Sequence, residues 1–267
     1  MKRLAFALLL AFSPPVALAQ TETVQVDGKS ALSGVWKIAF PAGVSGYMPL
    51  RGRVIAAGIE SFCRLQQTGK NVSATCLPGW GPDSGGGELD GKNLHLAWGV
   101  ALARAVIDAR IESASVRVFD GVFGLKILGI RHDAPARASA RKFVLDAAAP
   151  DSAGKAELLT RTLEELAAGA IVAPHDAEIA RNFGVPFGGH ESNTPEEMRG
   201  LGKVEAVAYL GEGCTVRPLF ANADAVRPAS SLCVFSFSAY QVEFTNGQRL
   251  CGIHQRADGV LDGFLCV

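Results

Sequence analysis

The sequence predicts two unlike parts: an all-β antiparallel meander (a small barrel or a sandwich) over residues 32–143, and an α+β unit, helices first and an antiparallel sheet after, over residues 153–267. Three observations predict this. Apolar and polar residues alternate between tight-turn dipeptides in the first part. The period lengthens to that of a helix after Pro150, and alternation returns from Lys203 to the end of the chain.

The chain starts with Lys2 and Arg3, an apolar run from Leu4 to Phe12, a Ser13-Pro14-Pro15 break and the triplet Ala17-Leu18-Ala19. Positive charge, a short apolar stretch and small residues at alternate positions form an export signal, so residues 1–19 are expected to be cleaved before Gln20. The apolar run is far shorter than the roughly 20 residues that span a bilayer. No later segment reaches that length without charges, so no transmembrane segment is expected in the mature chain, which belongs in the periplasm or outside the cell. Residues 20–31 read as an N-terminal extension. Lys plus Arg and Asp plus Glu both number 26, so the chain has no broad field to attract nucleic acid or anionic lipid.

In the first part, Val35 to Ile38, Phe62 to Gln67 and Val72 to Leu77 read as strands. Asp90-Gly91 and Asp120-Gly121 are expected as hairpin turns, the second joining Ser115–Phe119 to Val122–Arg131. From Ala103 to Glu112, Ala105, Ile107, Ala109 and Ile111 share one face while Arg104, Asp108, Arg110 and Glu112 share the other. Eight or nine such strands in about 110 residues, connected as hairpins, favour a barrel or sandwich.

All six cysteines, Cys63, Cys76, Cys214, Cys233, Cys251 and Cys266, follow the export signal, and an even count there favours disulfides. A hairpin centred on Asp258-Gly259 sets Cys251 opposite Cys266, and one centred on Gly69-Lys70 sets Cys63 opposite Cys76. Opposed Cα atoms about 4.5–5.5 Å apart are within disulfide reach. Cys214 and Cys233 pair by elimination. With no C-x-x-C and no histidine at ligand spacing, neither a zinc site nor redox catalysis is expected. No cofactor is expected either.

Residues 144–152, rich in alanine, read as a linker. Leu158, Leu159, Thr162, Leu163 and Leu166 then follow helical spacing, with Gly169 as the stop. A second helical piece is expected near Asp176 to Asn182, and a third at Thr194-Pro195-Glu196-Glu197, a capping box with proline at the first helical position. Strands follow at Lys203–Tyr209 and Leu232–Thr245, with hairpins on Asn246-Gly247 and Asp258-Gly259.

The opening Leu32-Ser33-Gly34-Val35-Trp36-Lys37, followed by a hairpin meander, resembles lipocalin-like and avidin-like small barrels. The second part carries Leu166-Ala167-Ala168-Gly169, then Leu201 to Val207, then Tyr240-Gln241-Val242-Glu243-Phe244, and then Ile253 to Gly259. That series resembles NTF2-like α+β domains, including those appended to bacterial exported hydrolases. The resemblance implies a conical pocket with an acid in it, for which Glu205 and Glu243 are the strand carboxylates. The three cysteine pairs and the insertion from Asn222 to Ser231 depart from that pattern, so pocket shape is not inherited with it.

Candidate chemistry is thin. His95, His132, His175, His190 and His254 include two His-Asp neighbours, but adjacent strand residues face opposite ways and do not orient an imidazole. His190-Glu191 lies in a glycine-rich loop. No G-x-S-x-G surrounds a serine, and Ser84 before Gly85-Gly86-Gly87 is followed by no helix, which excludes a phosphate cradle. Trp36 and Trp98, in expected strands, are candidate ligand-binding aromatics for a barrel mouth or else core residues; Trp80 lies in a loop. No convergent acid, base and oxyanion donors are legible. The expectation is a non-catalytic periplasmic protein that binds a small apolar ligand or an envelope protein. The alternative is an NTF2-like isomerase or hydrolase using Glu205 or Glu243 as base on a small hydrophobic substrate, and the place of those carboxylates in the fold separates the two.

Overall fold

A computed structural model describes residues 25–26, 29–41, 43, 45–48, 52–56, 58–77, 84–100, 103–112, 116–144, 150–169, 195–216, 220–222, 233–255 and 261–267. The expected export signal, Trp80, His175, His190, the expected helix at 176–182 and the expected Asp258-Gly259 turn lie outside these residues.

A two-strand ribbon, β1 (Gln25–Val26) and β2 (Lys29–Ser30), precedes the barrel. The first barrel strand is β3 (Gly34–Phe40). The chain then makes a hairpin of β4 (Ser45–Met48) and β5 (Gly52–Ala56) outside the barrel and returns as β6 (Ile59–Thr68). From there it runs up and down through β7 (Asn71–Cys76), β8 (Ser84–Asp90), β9 (Asn93–Val100), β10 (Ala103–Arg110), β11 (Val118–Ile127) and β12 (Ile130–Lys142). β12 pairs back onto β3, and β3 onto β6, so eight antiparallel strands close into a barrel. Closure pairs every edge that an open meander would leave exposed.

Alternation sorts the side chains as expected. Ala105, Ile107 and Ala109 point into the barrel while Arg104, Asp108 and Arg110 point out. The Gly69-Lys70 turn also stands where expected, with Thr68 opposite Asn71. Two other turns are displaced by one residue. Asp90 pairs with Asn93 around Gly91-Lys92, because Gly91 (φ 59°) supplies the positive φ of the first central position. Phe244 pairs with Gly247 around Thr245-Asn246, whose N–H groups donate to Lys203 O and Leu201 O and so tie that turn to the helix before it.

The expected turn at Asp120-Gly121 is wrong. Both residues lie inside β11, opposite Ser139 and Ala138. The glycine serves close packing there: a Cβ on Gly121 would sit 2.4 Å from Ile107 Cγ2. The chain turns instead at Leu128-Gly129, both at positive φ (49° and 85°), as a type I′ turn requires. An exposed leucine in the left-handed region is strained by its Cβ. Leu128→Asn is therefore expected to stabilise the protein by about 0.5–1 kcal/mol, read as a higher urea midpoint at unchanged m-value. Further along, β12 carries extra residues around Pro135 where the register shifts opposite Val122–Gly124, the place in a sheet where a residue without an N–H is tolerated.

Two disulfides stand where the hairpin register puts them. Cys63–Cys76 joins β6 to β7 with Cα atoms 3.9 Å apart, inside the barrel. The neighbouring pair Phe62/Leu77 carries a ladder hydrogen bond, so the cysteines occupy a non-hydrogen-bonded pair, where opposed side chains come closest. In the second part, Cys251 and Cys266 are bridged with Cα atoms 4.1 Å apart, next to the hydrogen-bonded pair Leu250/Val267. Cys214 is disulfide-bonded as well, and no described cysteine is free. Such bonding points to an oxidising, extracytoplasmic compartment. No described helix is long and apolar enough to cross a membrane.

The second part begins with α1 (Ala156–Ala168), which buries Leu159, Thr162, Leu163 and Leu166 and ends at Gly169 in the left-handed conformation (φ 71°). Gly169 at this position completes a helix C-terminus at no Cβ cost. Next, α2 (Pro195–Leu201) starts on its proline and buries Met198 and Leu201. The strands β13 (Val204–Val216), β15 (Cys233–Phe244), β16 (Gly247–Gln255) and β17 (Leu261–Cys266) form one antiparallel sheet in that order. Between them β14 (Phe220–Asn222) leaves this sheet and pairs with β5, making a three-stranded sheet with the β4–β5 hairpin. None of β4, β5 and β14 was expected from the sequence.

Period-2 alternation gives the four-stranded sheet two buried faces. Tyr240, Val242, Phe244, Cys251, Ile253 and Cys266 meet the leucines of α1 and α2. Phe237, Ala239, Leu250, Leu265 and Val267 meet Val35, Phe62 and Leu77 on the outer wall of the barrel. The result is helices on sheet on barrel wall. Each fully buried Leu, Val or Phe in these layers contributes about 1.5–3 kcal/mol relative to exposure.

Candidate functional site

The barrel places both candidate tryptophans in its interior. Trp36 (0 % exposed) packs its ring 5.1 Å from Phe119, and its Nε1–H donates to Leu32 O at 2.8 Å. Trp98 (1 % exposed) meets Phe40 edge-on at 5.7 Å, and Phe40 meets Phe123 at 5.4 Å. Room for the Trp98 indole comes from the facing strand, where a Cβ on Gly85 would stand 2.4 Å from Trp98 Cδ1. An eight-stranded barrel is just wide enough to be filled by side chains, and these aromatics, with the aliphatic residues around them, fill it. Lys142 lies over Trp36, 5.8 Å from its ring, and donates to Ala31 O. Burial there holds its ammonium below the usual lysine range.

The two candidate carboxylates are not brought together with an apolar site. Glu205 is exposed at a bulge of β13, where the register slips between Val204 and Ala206. Glu243 lies on β15 and accepts a 3.0 Å hydrogen bond from Gln248 Nε2 on the neighbouring strand.

A polar cluster that sequence reasoning missed sits where α1 meets the sheet. Ser238 (0 % exposed) donates to Glu212 Oε1 at 2.9 Å and accepts from Lys155 Nζ at 2.9 Å. Tyr209 O–H donates to the same Glu212 oxygen, and its ring stands 5.4 Å from that of Tyr240. The Tyr240 hydroxyl donates to Asp151 Oδ1 at 2.9 Å, while Asp151 Oδ2 accepts the Ala156 N–H that opens α1. Burial first, and then the Asp151 carboxylate, push the Tyr240 phenol far up, so it stays a donor at any physiological pH. A serine between a lysine and a carboxylate is the chemistry of a nucleophile, but a side chain with no exposed surface cannot meet an acyl carbon. The network ties residues 151–155 to the sheet and sets the start of α1. The only sequence signal for it is Asp151 ahead of the helix, a capping residue four positions before the N-cap.

On the outer wall His95 Nδ1 lies 2.5 Å from Asp108 Oδ1, and Arg131 bonds Asp108 and Asp133. Partial burial pushes the Asp108 carboxyl up, but hydrogen bonds from His95 and Arg131 outweigh it and hold it below the usual aspartate range. A carboxyl depressed in the folded state adds stability that is present above its unfolded pKa and is lost as pH falls through the folded one. Asp108→Asn is therefore expected to lower the thermal midpoint slightly near neutral pH, and the difference should shrink as pH falls below the usual aspartate range, as a pH series of melting curves would show. His254 Nδ1 stands 2.5 Å from Ser236 O, a contact that fixes Nδ1 as the protonated nitrogen. Among the described residues no three His, Cys, Asp or Glu side chains gather as a metal site would require.

No family model, curated protein or solved structure matches the chain.

Proposed function

We propose that this is an exported, non-catalytic accessory protein that acts in the periplasm or outside the cell by binding an envelope partner on its outer surface. The observation that carries this reading is the use of both interiors for packing. Trp36, Trp98, Phe40, Phe119 and Phe123 fill the barrel, and the helix-facing side of the sheet is taken up by α1 and α2. A barrel so filled supports recognition from outside better than enclosure of an apolar ligand. The runner-up, an NTF2-like isomerase or hydrolase, would need Glu205 or Glu243 in a concave apolar site; the first is exposed and the second is held by an amide.

Crosslinking in the intact envelope followed by native mass spectrometry of the purified protein tests this. One partner at fixed stoichiometry is the expected result. A chain recovered alone, or with an apolar compound at one per chain in a lipid extract, would overturn it.

A further inference from the structure

Where the four-stranded sheet leaves the barrel wall, two guanidinium groups converge. Arg64 on β6 donates from Nη1 to Gln248 O at 2.7 Å, and Arg249 on β16 donates from Nη1 to the same oxygen at 3.1 Å. Arg249 has a counter-charge, since its Nη2 lies 3.0 Å from Glu197 of α2. Arg64 is half-buried, no carboxylate lies within ion-pair distance of it among the described residues, and its Nε is buried without a hydrogen-bond partner. The wall beneath changes character at this point. Val35, Phe62 and Leu77 lie under the sheet, while Gln66 and Ser73, one row further along β6 and β7, are outside it. Thr75 stands directly opposite Arg64 across the β6–β7 ladder.

A half-buried cation with no counter-ion, beside a second cation, is costly unless an anion completes it. Burial first, and then the positive charge of Arg249, both work against the charge on Arg64. One carbonyl oxygen cannot neutralise two forks, but it does hold them in a common orientation, and two oriented guanidinium groups match the oxygens of a tetrahedral oxyanion. With Glu197 counted against one arginine, the cluster keeps one net positive charge.

We propose that this seam is a binding site for a phosphate-type oxyanion, taken by Arg64 and Arg249 together, with the Thr75 hydroxyl at its rim. The site stands apart from both interiors and does not depend on the accessory reading. It makes the contact between barrel and sheet responsive to a ligand, because the two arginines come one from each side.

The test uses the mature, disulfide-bonded protein with inorganic phosphate as probe, against sodium chloride at matched ionic strength. Phosphate is expected to raise the thermal midpoint where chloride does not, since a ligand that binds only the native state stabilises it by mass action. By titration calorimetry Arg64→Gln should weaken phosphate binding at least tenfold. Arg64→Lys keeps the charge and loses the fork, and should weaken it about three- to tenfold, which keeps the test open if the glutamine variant fails to fold. Equal shifts in phosphate and chloride, or undiminished phosphate binding in either variant, would overturn the proposal. Sedimentation with phosphatidylglycerol vesicles separates the two sources of such a group. Arg64-dependent co-sedimentation identifies a lipid headgroup, and phosphate binding without it identifies a free anion.

Discussion

Replacing Trp36 with alanine is expected to cost about 4 kcal/mol of stability, the upper range for truncating a large aromatic residue in a core. The indole has no exposed surface, packs at a tilt against Phe119, donates its N–H to Leu32 O and lies under the Lys142 ammonium. Its loss would remove dispersion contacts on every side and leave Leu32 O to find another donor. In a chain of this length that corresponds to a fall in melting temperature of roughly 10 °C. Trp36→Phe should keep most of the packing and cost about 1–2 kcal/mol. Urea unfolding of the two variants checks both numbers. A cost under about 1 kcal/mol for Trp36→Ala would mean that the interior has slack, and the barrel would then have to be reconsidered as a ligand-holding cavity.

The second large effect belongs to the Cys251–Cys266 bridge. Its ends are 15 residues apart, which on the chain-entropy model gives about 3 kcal/mol. Both half-cystines have no exposed surface and pack among the residues that face α1 and α2, so Cys251→Ala with Cys266→Ala adds a packing loss to the entropic one. The double variant is expected to lose about 3–4 kcal/mol in urea unfolding. Non-reducing peptide mapping of the native protein should recover the 251–266 and 63–76 pairs. Cys251 found joined to Cys214 or Cys233 would overturn the register of the last hairpin.

Residues whose partners lie close in sequence were legible beforehand. The cysteine hairpins, the inward face of Ala105, Ile107 and Ala109, the leucine face of α1 and its stop at Gly169 all follow from local period and turn chemistry. Asp120-Gly121 misled because glycine has two uses, and a turn dipeptide does not reveal that Ile107 needs the space. The pairing of Phe220–Asn222 with Val54–Ala56 was invisible, since no local pattern specifies a partner strand more than 150 residues away. The same holds for the network that joins Asp151 and Lys155, ahead of α1, to Glu212 on β13 and Ser238 on β15. What the sequence cannot show is which polar residues from distant segments will meet.

The closure of the barrel sets the order in which the chain can mature. β3 emerges more than one hundred residues before its β12 neighbour, as the Trp36–Lys142 pair shows. Until then the flank of β3 that β12 will cover is an unsatisfied edge, able to pair with any passing strand. Strand β14 arrives later still to complete the β4–β5 hairpin. Long-range pairing of this kind is slow, on the order of milliseconds to seconds. The Cys63–Cys76 loop spans only 13 residues and can be oxidised as it emerges, which locks one wall in register before the barrel shuts. The half-finished barrel is thus the species most in need of a holdase chaperone, and the early disulfide limits the ways in which it can go wrong.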